Sequence, residues 1–249
     1  DITGRVLESL AWHGYRISSG HTTAEFDGYE ESGGLEARSG NREHEIAPGL
    51  FGLPENAEVQ PQLKRAVDFI RARQDTESGA WFGRWGVNYI YGTWQAVGGL
   101  RRLGVNMHQP WIQKAGHWLK SVQQDDGSFG ETALSYENPA LKGTGPSTAS
   151  QTAWAAMTLL SIYGPSDPDV ARAIRWLMQT QLRSPQPASG DPADTEGPVD
   201  PAGSWSETEF TGTGFPRVFY LRYHMYRLYF PLMALARYRR ARQSSSPGT

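Results

Sequence analysis

The chain reads as all-α, a ring of helical hairpins of the (α/α)6-barrel type. Two observations predict this. A helix-turn-aromatic unit recurs three times at intervals of about 50 residues, the mark of stacked supersecondary units. Between these units lie further apolar runs of helical period, with no convincing series of strands.

Taken in order, Val6, Leu7, Leu10 and Ala11 recur at helical spacing and predict a helix over 3–15. Residues 18–60 change in character. Ser, Gly, Glu and His dominate first, and Pro48, Gly49, Gly52 and Pro54 follow, so the segment reads as a long surface insertion. The repeat then begins. Arg65-Ala66, Phe69 and Gln74 lead to Gly79 and Trp81. Lys114-Ala115, Trp118-Leu119 and Gln123 lead to Gly127 and Phe129. Arg172-Ala173, Trp176-Leu177 and Gln181 lead, after a longer break, to Gly203 and Trp205. The break, 182–202, holds five prolines and reads as a second insertion.

The three helices ending near a Gln are assigned to the outside of the ring. Those at 3–15, 90–102, 149–163 and 216–242 are assigned to the inside. That makes about seven helices of a ring that needs twelve, so the chain reads as one incomplete domain over 1–249, with part of the ring expected upstream.

With 24 basic and 26 acidic residues the chain is nearly neutral, which argues against a nucleic-acid partner held by bulk charge. The absence of cysteine excludes disulfides and thiolate metal sites. It also sets aside a zinc-dependent prenyltransferase subunit. No apolar run approaches the roughly 18–20 residues that span a bilayer. Aromatics make up 12% of the chain, with nine Trp, and such rings either fill a core or line a surface that attracts cations. The inner segments offer aromatics rather than the paired acids of a glycosidase.

Phe215, Phe219, Tyr223, Tyr226 and Phe230 are spaced by four, four, three and four residues. At about 100° per residue they form one narrow stripe on a predicted helix. For an arbitrary helix such a stripe is ordinary core.

The three repeat units resemble the QW motif of the triterpene cyclases, a Gln followed by a short turn, Gly and Trp. Three longer stretches resemble squalene-hopene cyclases in particular. They are Trp81-Phe82-Gly83-Arg84-Trp85-Gly86-Val87-Asn88-Tyr89-Ile90-Tyr91-Gly92-Thr93, Ser150-Gln151-Thr152-Ala153-Trp154-Ala155, and Gly212-Thr213-Gly214-Phe215-Pro216 continuing through Phe219-Tyr220-Leu221 to Tyr223 and Tyr226. On these the chain is identified as a carboxy-terminal part of that family.

The resemblance implies cyclisation of squalene, or a similar linear isoprenoid, to hopene or hopanol by a protonation-initiated carbocation cascade. It implies no metal and no cofactor. It places Phe215, Phe219, Tyr223 and Tyr226 at the substrate cavity, and Trp85 and Tyr91 near the substrate. It also assigns the cavity to Leu221, which an ideal helix sets about 200° from Phe219. Phe230 and Trp154 are assigned to the core. Arg5 stands where some members carry a His that supports the catalytic acid. A cation there favours an ionised carboxylate, and Arg does not release its proton, so a structural ion pair is the competing reading. The QW residues read as clasps, with each Gln bonding amides at a neighbouring helix start.

The acid motif of the family, Asp-x-Asp-Asp, does not occur in the sequence. Asp125-Asp126 sits in a QW turn, and Asp191 and Asp194 sit in the proline-rich insertion. The expected partner is therefore the upstream part of the cyclase. By the habit of the family, the expected location is the cytoplasmic face of a membrane, as a monotopic protein. The basic tail of Arg237, Arg239, Arg240 and Arg242 is a candidate lipid contact or a solvated helix end. The alternative to a cyclase part is an inactive remnant that only binds hydrophobic molecules or a partner chain.

Overall fold

The computed structural model describes residues 2–12, 15–17, 56–188 and 196–245. Among these described residues seven α-helices run in the order α1 (Ile2–Trp12), α2 (Asn56–Ala72), α3 (Tyr89–Arg102), α4 (Pro110–Ser121), α5 (Ala149–Tyr163), α6 (Pro168–Thr180) and α7 (Tyr226–Ser244). Most of the first predicted insertion lies outside the described residues. Its end, 56–60, belongs to α2.

Two layers follow from where each helix is apolar. Along α5, thirteen of fifteen residues are buried, from Ala149 to Ile162. Such a helix is buried on every side and must be enclosed by others. Most of α3 is buried in the same way. By contrast α4 and α6 bury one stripe each, Ile112, Ala115, Gly116 and Leu119 in one and Val170, Ala173, Ile174 and Leu177 in the other. The inner helices pack on one another in sequence, α1 on α3, α3 on α5 and α5 on α7, while α2, α4 and α6 back them from outside. This is the α/α helical-toroid class, with the predicted inner and outer assignments.

The clasps are visible, with their polarity reversed from expectation. Gln74 Nε2 donates to the carbonyls of Gly79 and Trp111, and Gln123 Nε2 donates to those of Gly127 and Asp169. Each Gln thus reaches a carbonyl, not an amide, in the first turn of the next outer helix. Proline explains this. Pro110 and Pro168 open those helices without an N–H, and Asp167 already accepts the amides of Asp169 and Val170. Gln181 repeats the first half of the pattern by donating to Gly203. The turn glycines Gly79, Gly127 and Gly203 have φ of 79°, 94° and 82°, which a side chain would resist.

Trp81 Nε1 donates to the Ile70 carbonyl at 2.7 Å, and Trp205 Nε1 to Leu177 at 2.8 Å. Phe129 fills the matching place in the second unit, fully buried but without a donor. Trp81→Phe is therefore expected to cost at least about 1 kcal/mol in urea unfolding, the net worth of the lost hydrogen bond. An unchanged midpoint would show that the indole N–H is dispensable there.

Asp126, in the second clasp, accepts from the Ser128 amide and hydroxyl and from Trp176 Nε1. It shapes a turn.

Among the described residues two short antiparallel strand pairs interrupt the helices, against the strand-free expectation. The strands β1 (Gln186–Pro187) and β2 (Val199–Asp200) lie in the proline-rich insertion. The strands β3 (Gly212–Phe215) and β4 (Phe219–Leu221) precede α7. The second hairpin corrects the helix predicted over 216–242, which begins at Tyr226 instead. It turns at Arg217, whose φ is 67°. The five-aromatic stripe is therefore not one helix face. Phe215 and Phe219 belong to strands, Tyr223 to the connecting loop, and only Tyr226 and Phe230 to α7.

Candidate functional site

The inner helices bring a continuous set of rings together. Tyr91 and Trp94, three residues apart on α3, lie on one side with centroids 5.8 Å apart. Trp154 of α5 stands at the centre. It meets Tyr91 edge-on at 5.0 Å, stacks on Trp94 at 5.9 Å, and meets Tyr226 and Phe230 edge-on at 5.7 and 5.2 Å. Tyr226 continues to Tyr223 at 4.7 Å and to Tyr229 at 6.0 Å. Edge-to-face contacts of this kind suit the ring quadrupole. Trp154 and Phe230 are buried, as the core assignment requires.

The hairpin and the Trp85 loop form a second tier. The amide of Thr213 donates to the Trp85 carbonyl at 3.1 Å, and that of Val87 to Thr211 at 3.0 Å. Gly86 and Gly212 bridge the two segments. Both must be glycine, because a Cβ at Gly86 would enter the Tyr91 ring and one at Gly212 the Tyr223 ring. The bridge thus stacks Tyr91, the loop, the hairpin and Tyr223 in order. Phe215 and Phe219 form an edge-on pair at 5.8 Å. They are 52% and 44% exposed, Trp85 39% and Tyr223 38%, so this tier is open to solvent while Tyr91 is buried.

Strand geometry removes the conflict over Leu221. Residues i and i+2 of a strand share a face, so Phe219 and Leu221 point the same way. Tyr220, between them, stacks on Tyr136 instead, with centroids 5.9 Å apart.

Arg5 lies at the α1 edge of the ring set. Its guanidinium is 5.6 Å from the Trp94 ring centre, and it pairs with Glu8 at 3.0 Å. Glu8 is shared with Arg102 at 2.9 Å. Arg5 thus makes a structural ion pair and places a cation on an aromatic face.

The phenols of Tyr91 and Tyr226 are held neutral. Burial pushes Tyr91 up, outweighing the opposing influence of nearby Gln95 and Arg5, and burial likewise pushes Tyr226 up, with Tyr91 adding to it. A protonated phenol offers its ring face to positive charge and is a poor base. Among the described residues, no group of three or more His, Asp or Glu side chains converges as a metal would need.

Sequence reasoning missed two buried carboxylates behind these rings, Glu131 and Glu207, each 4% exposed. Burial raises both carboxyls above their ordinary value. The amides of Asn88, Tyr89 and Ile90 and the Ser135 hydroxyl oppose the shift at Glu131; Ser150, Thr211 and Arg227 oppose it at Glu207. A signal was present. Each stands two residues after a clasp aromatic, in Phe129-Gly130-Glu131 and Trp205-Ser206-Glu207. Trp94 was also missed, though it lies one helical turn from Tyr91.

Comparison with known proteins gives the family. The family described as the squalene-hopene cyclase C-terminal domain matches residues 49–240. The chain belongs to that family. It is 43% identical over 199 residues to a squalene–hopene cyclase of Bradyrhizobium diazoefficiens, covering 79% of this chain and 27% of that protein. It is 44% identical over 193 residues to one of Zymomonas mobilis, covering 76% and 26%. It is 42% identical over 193 residues to one of Alicyclobacillus acidocaldarius, covering 78% and 27%. The chain thus spans about a quarter of the length of these relatives. A solved structure, ent-copalyl diphosphate synthase from Streptomyces platensis, superposes with a TM-score of 0.41 at 18% identity over 76% of this chain and 28% of that one, too distant to bear on the fold.

Proposed function

We propose that this chain supplies the cation-stabilising aromatic wall of a squalene-hopene cyclase, acting on squalene or a similar linear isoprenoid. The observation that carries the reading is the two-tier ring arrangement, with Tyr91, Tyr223 and Tyr226 in one contiguous set and Trp85, Phe215, Phe219 and Leu221 on the paired loop and hairpin.

In the proposed reaction a carboxylic acid adds its proton to a terminal alkene, forming a C–H bond and a carbocation. Successive alkenes attack, each converting a π bond to a C–C σ bond and passing the charge onward. Loss of a proton gives hopene; addition of water followed by proton loss gives hopanol. The proton returned reloads the acid. The sequence contains no Asp-x-Asp-Asp, so the acid belongs to another part of the cyclase. The rings lower the energy of the passing charge by about 0.5–2 kcal/mol each. Their fixed placement requires little reorganisation as the charge arrives. The neutral phenols do not quench it. Arg5 is better read as bounding the wall than as supporting an acid.

The peripheral membrane location of the family is proposed for the assembled cyclase. Among the described residues no helix is long and apolar enough to cross a membrane.

The test incubates the chain with squalene, alone and with a supplied polypeptide carrying the remaining length of a relative and its acid motif. Pentacyclic product is expected from the mixture only. A stable complex of the two that leaves squalene untouched would sink the reading and favour an inactive remnant.

A further inference from the structure

Glu131 and Glu207 occupy the same place in successive repeats and make the same kind of contact. Glu131 Oε2 accepts the amide of Ile90 at 2.9 Å and that of Asn88 at 3.3 Å, at the start of α3. Glu207 Oε2 accepts the amide of Ser150 at 2.8 Å, at the start of α5, while its Oε1 takes the Ser150 and Thr211 hydroxyls, each at 2.9 Å. Each carboxyl therefore satisfies amides that a helix start leaves free. Each belongs to the repeat after the helix it holds.

What hangs on these contacts is the aromatic wall. Asn88, held by Glu131, accepts the Gly83 amide through Oδ1 and donates through Nδ2 to Ser135. The Tyr136 hydroxyl donates to the carbonyls of Gly83 and Gly86 at 2.8 and 2.9 Å. Gln151 donates to the carbonyls of Val87 and Glu131 and accepts the Glu131 amide. These groups form a buried polar belt beneath residues 83–90, the segment that carries Trp85 and leads into Tyr91. Thr211, held by Glu207, accepts the Val87 amide through its carbonyl and begins the hairpin of Phe215, Phe219 and Leu221. One carboxyl anchors the loop, the other anchors the hairpin, and the Gly86–Gly212 bridge joins what they hold.

We infer that Glu131 and Glu207 are paired positioning residues that set the distance and angle between the two halves of the aromatic wall, and so decide how far the cyclisation runs before the cation is lost. Neither touches the substrate surface; each acts through the segment it holds. This rests on the cyclase reading for its chemical consequence and on the structure alone for its mechanical part.

The experiment separates reach from charge. Glu131→Gln keeps an oxygen at full reach, and one oxygen is all that Asn88 and Ile90 use. Glu131→Asp keeps a carboxyl but falls one methylene short. In the reconstituted mixture, Glu131→Asp is expected to raise the ratio of partly cyclised to pentacyclic products about tenfold, with Glu131→Gln within about twofold of the parent. At position 207, Asp is expected to act like Asp at 131. Gln there should fall between, since both oxygens of Glu207 are used. Hydrogen exchange on the chain without substrate should show faster exchange at Asn88 and Ile90 in Glu131→Asp, and at Ser150 in Glu207→Asp, about tenfold in each case. Faster exchange with an unchanged product ratio would reduce the pair to structural supports. Damage from Gln but not Asp would assign the effect to charge and overturn positioning. Unchanged exchange in both Asp variants would remove the mechanical claim. If the parent mixture makes no product, the cyclase reading fails by itself and the exchange result still decides whether the carboxyls hold these segments.

Discussion

Asp200→Ala is expected to cost the chain about 3–5 kcal/mol, a large part of the stability of an ordinary domain. Asp200 is fully buried on β2, and both its oxygens face the guanidinium of Arg227 on α7, itself only 7% exposed. Removing the carboxylate strands a guanidinium that can neither reach water nor lose its proton. Most of the loss is that uncompensated charge rather than the attraction of the pair. The double variant Asp200→Leu with Arg227→Met is therefore expected to recover most of the stability, because an apolar pair of similar volume needs no compensation. Urea unfolding of the parent, both single variants and the double variant gives the cycle. If Asp200→Ala unfolds within 1 kcal/mol of the parent, the pair is open to water and the argument fails. The pair also pins the proline-rich insertion to the first turn of α7, next to Tyr226. Arg227 further favours the ionised form of Glu207. The single variants should thus disturb the aromatic wall as well as stability.

Trp154→Ala is the second large effect, expected at about 3–5 kcal/mol. The side chain is fully buried and contacts Tyr91, Trp94, Tyr226 and Phe230, so no neighbour can collapse into the gap without leaving another ring. Trp154→Phe is expected to cost distinctly less. It keeps a ring, and it removes an indole N–H that is buried without a hydrogen-bond partner. That orphan donor already carries a desolvation cost, which Phe would relieve. A Phe variant as unstable as the Ala variant would show that the indole bicycle, not ring contact as such, supports the set.

Much of the architecture was legible because its causes are local. The helices α3 and α5 have the bounds their apolar runs predict to within a residue, and the Gln–Gly–Trp turns recur because each needs the same left-handed glycine after the same helix end. The direction of the Gln hydrogen bonds was not legible, since it depends on what the first turn of the next outer helix presents to the Gln, and there Pro110 and Pro168 lack an N–H.

The segment from Gly212 to Tyr226 shows where local reading stops. Spacings of four, four and three fit a helix face, and Pro216 is acceptable at a helix start. What overrides them is the pairing of Gly212 with Gly86 and of Thr213 with Trp85, contacts that span more than a hundred residues of sequence. Only the strand alternation they impose puts Leu221 beside Phe219.

By itself, then, the sequence determined the class of fold, the family, the clasps and the identity of the aromatic residues, because period, turn chemistry and motif are written in neighbouring positions. The tertiary structure decided which rings touch, that the wall has a helical tier and a hairpin tier, and that Glu131, Glu207 and the Arg227–Asp200 pair hold it. Those depend on buried polar groups finding partners far along the chain, and burial is a property of the folded whole.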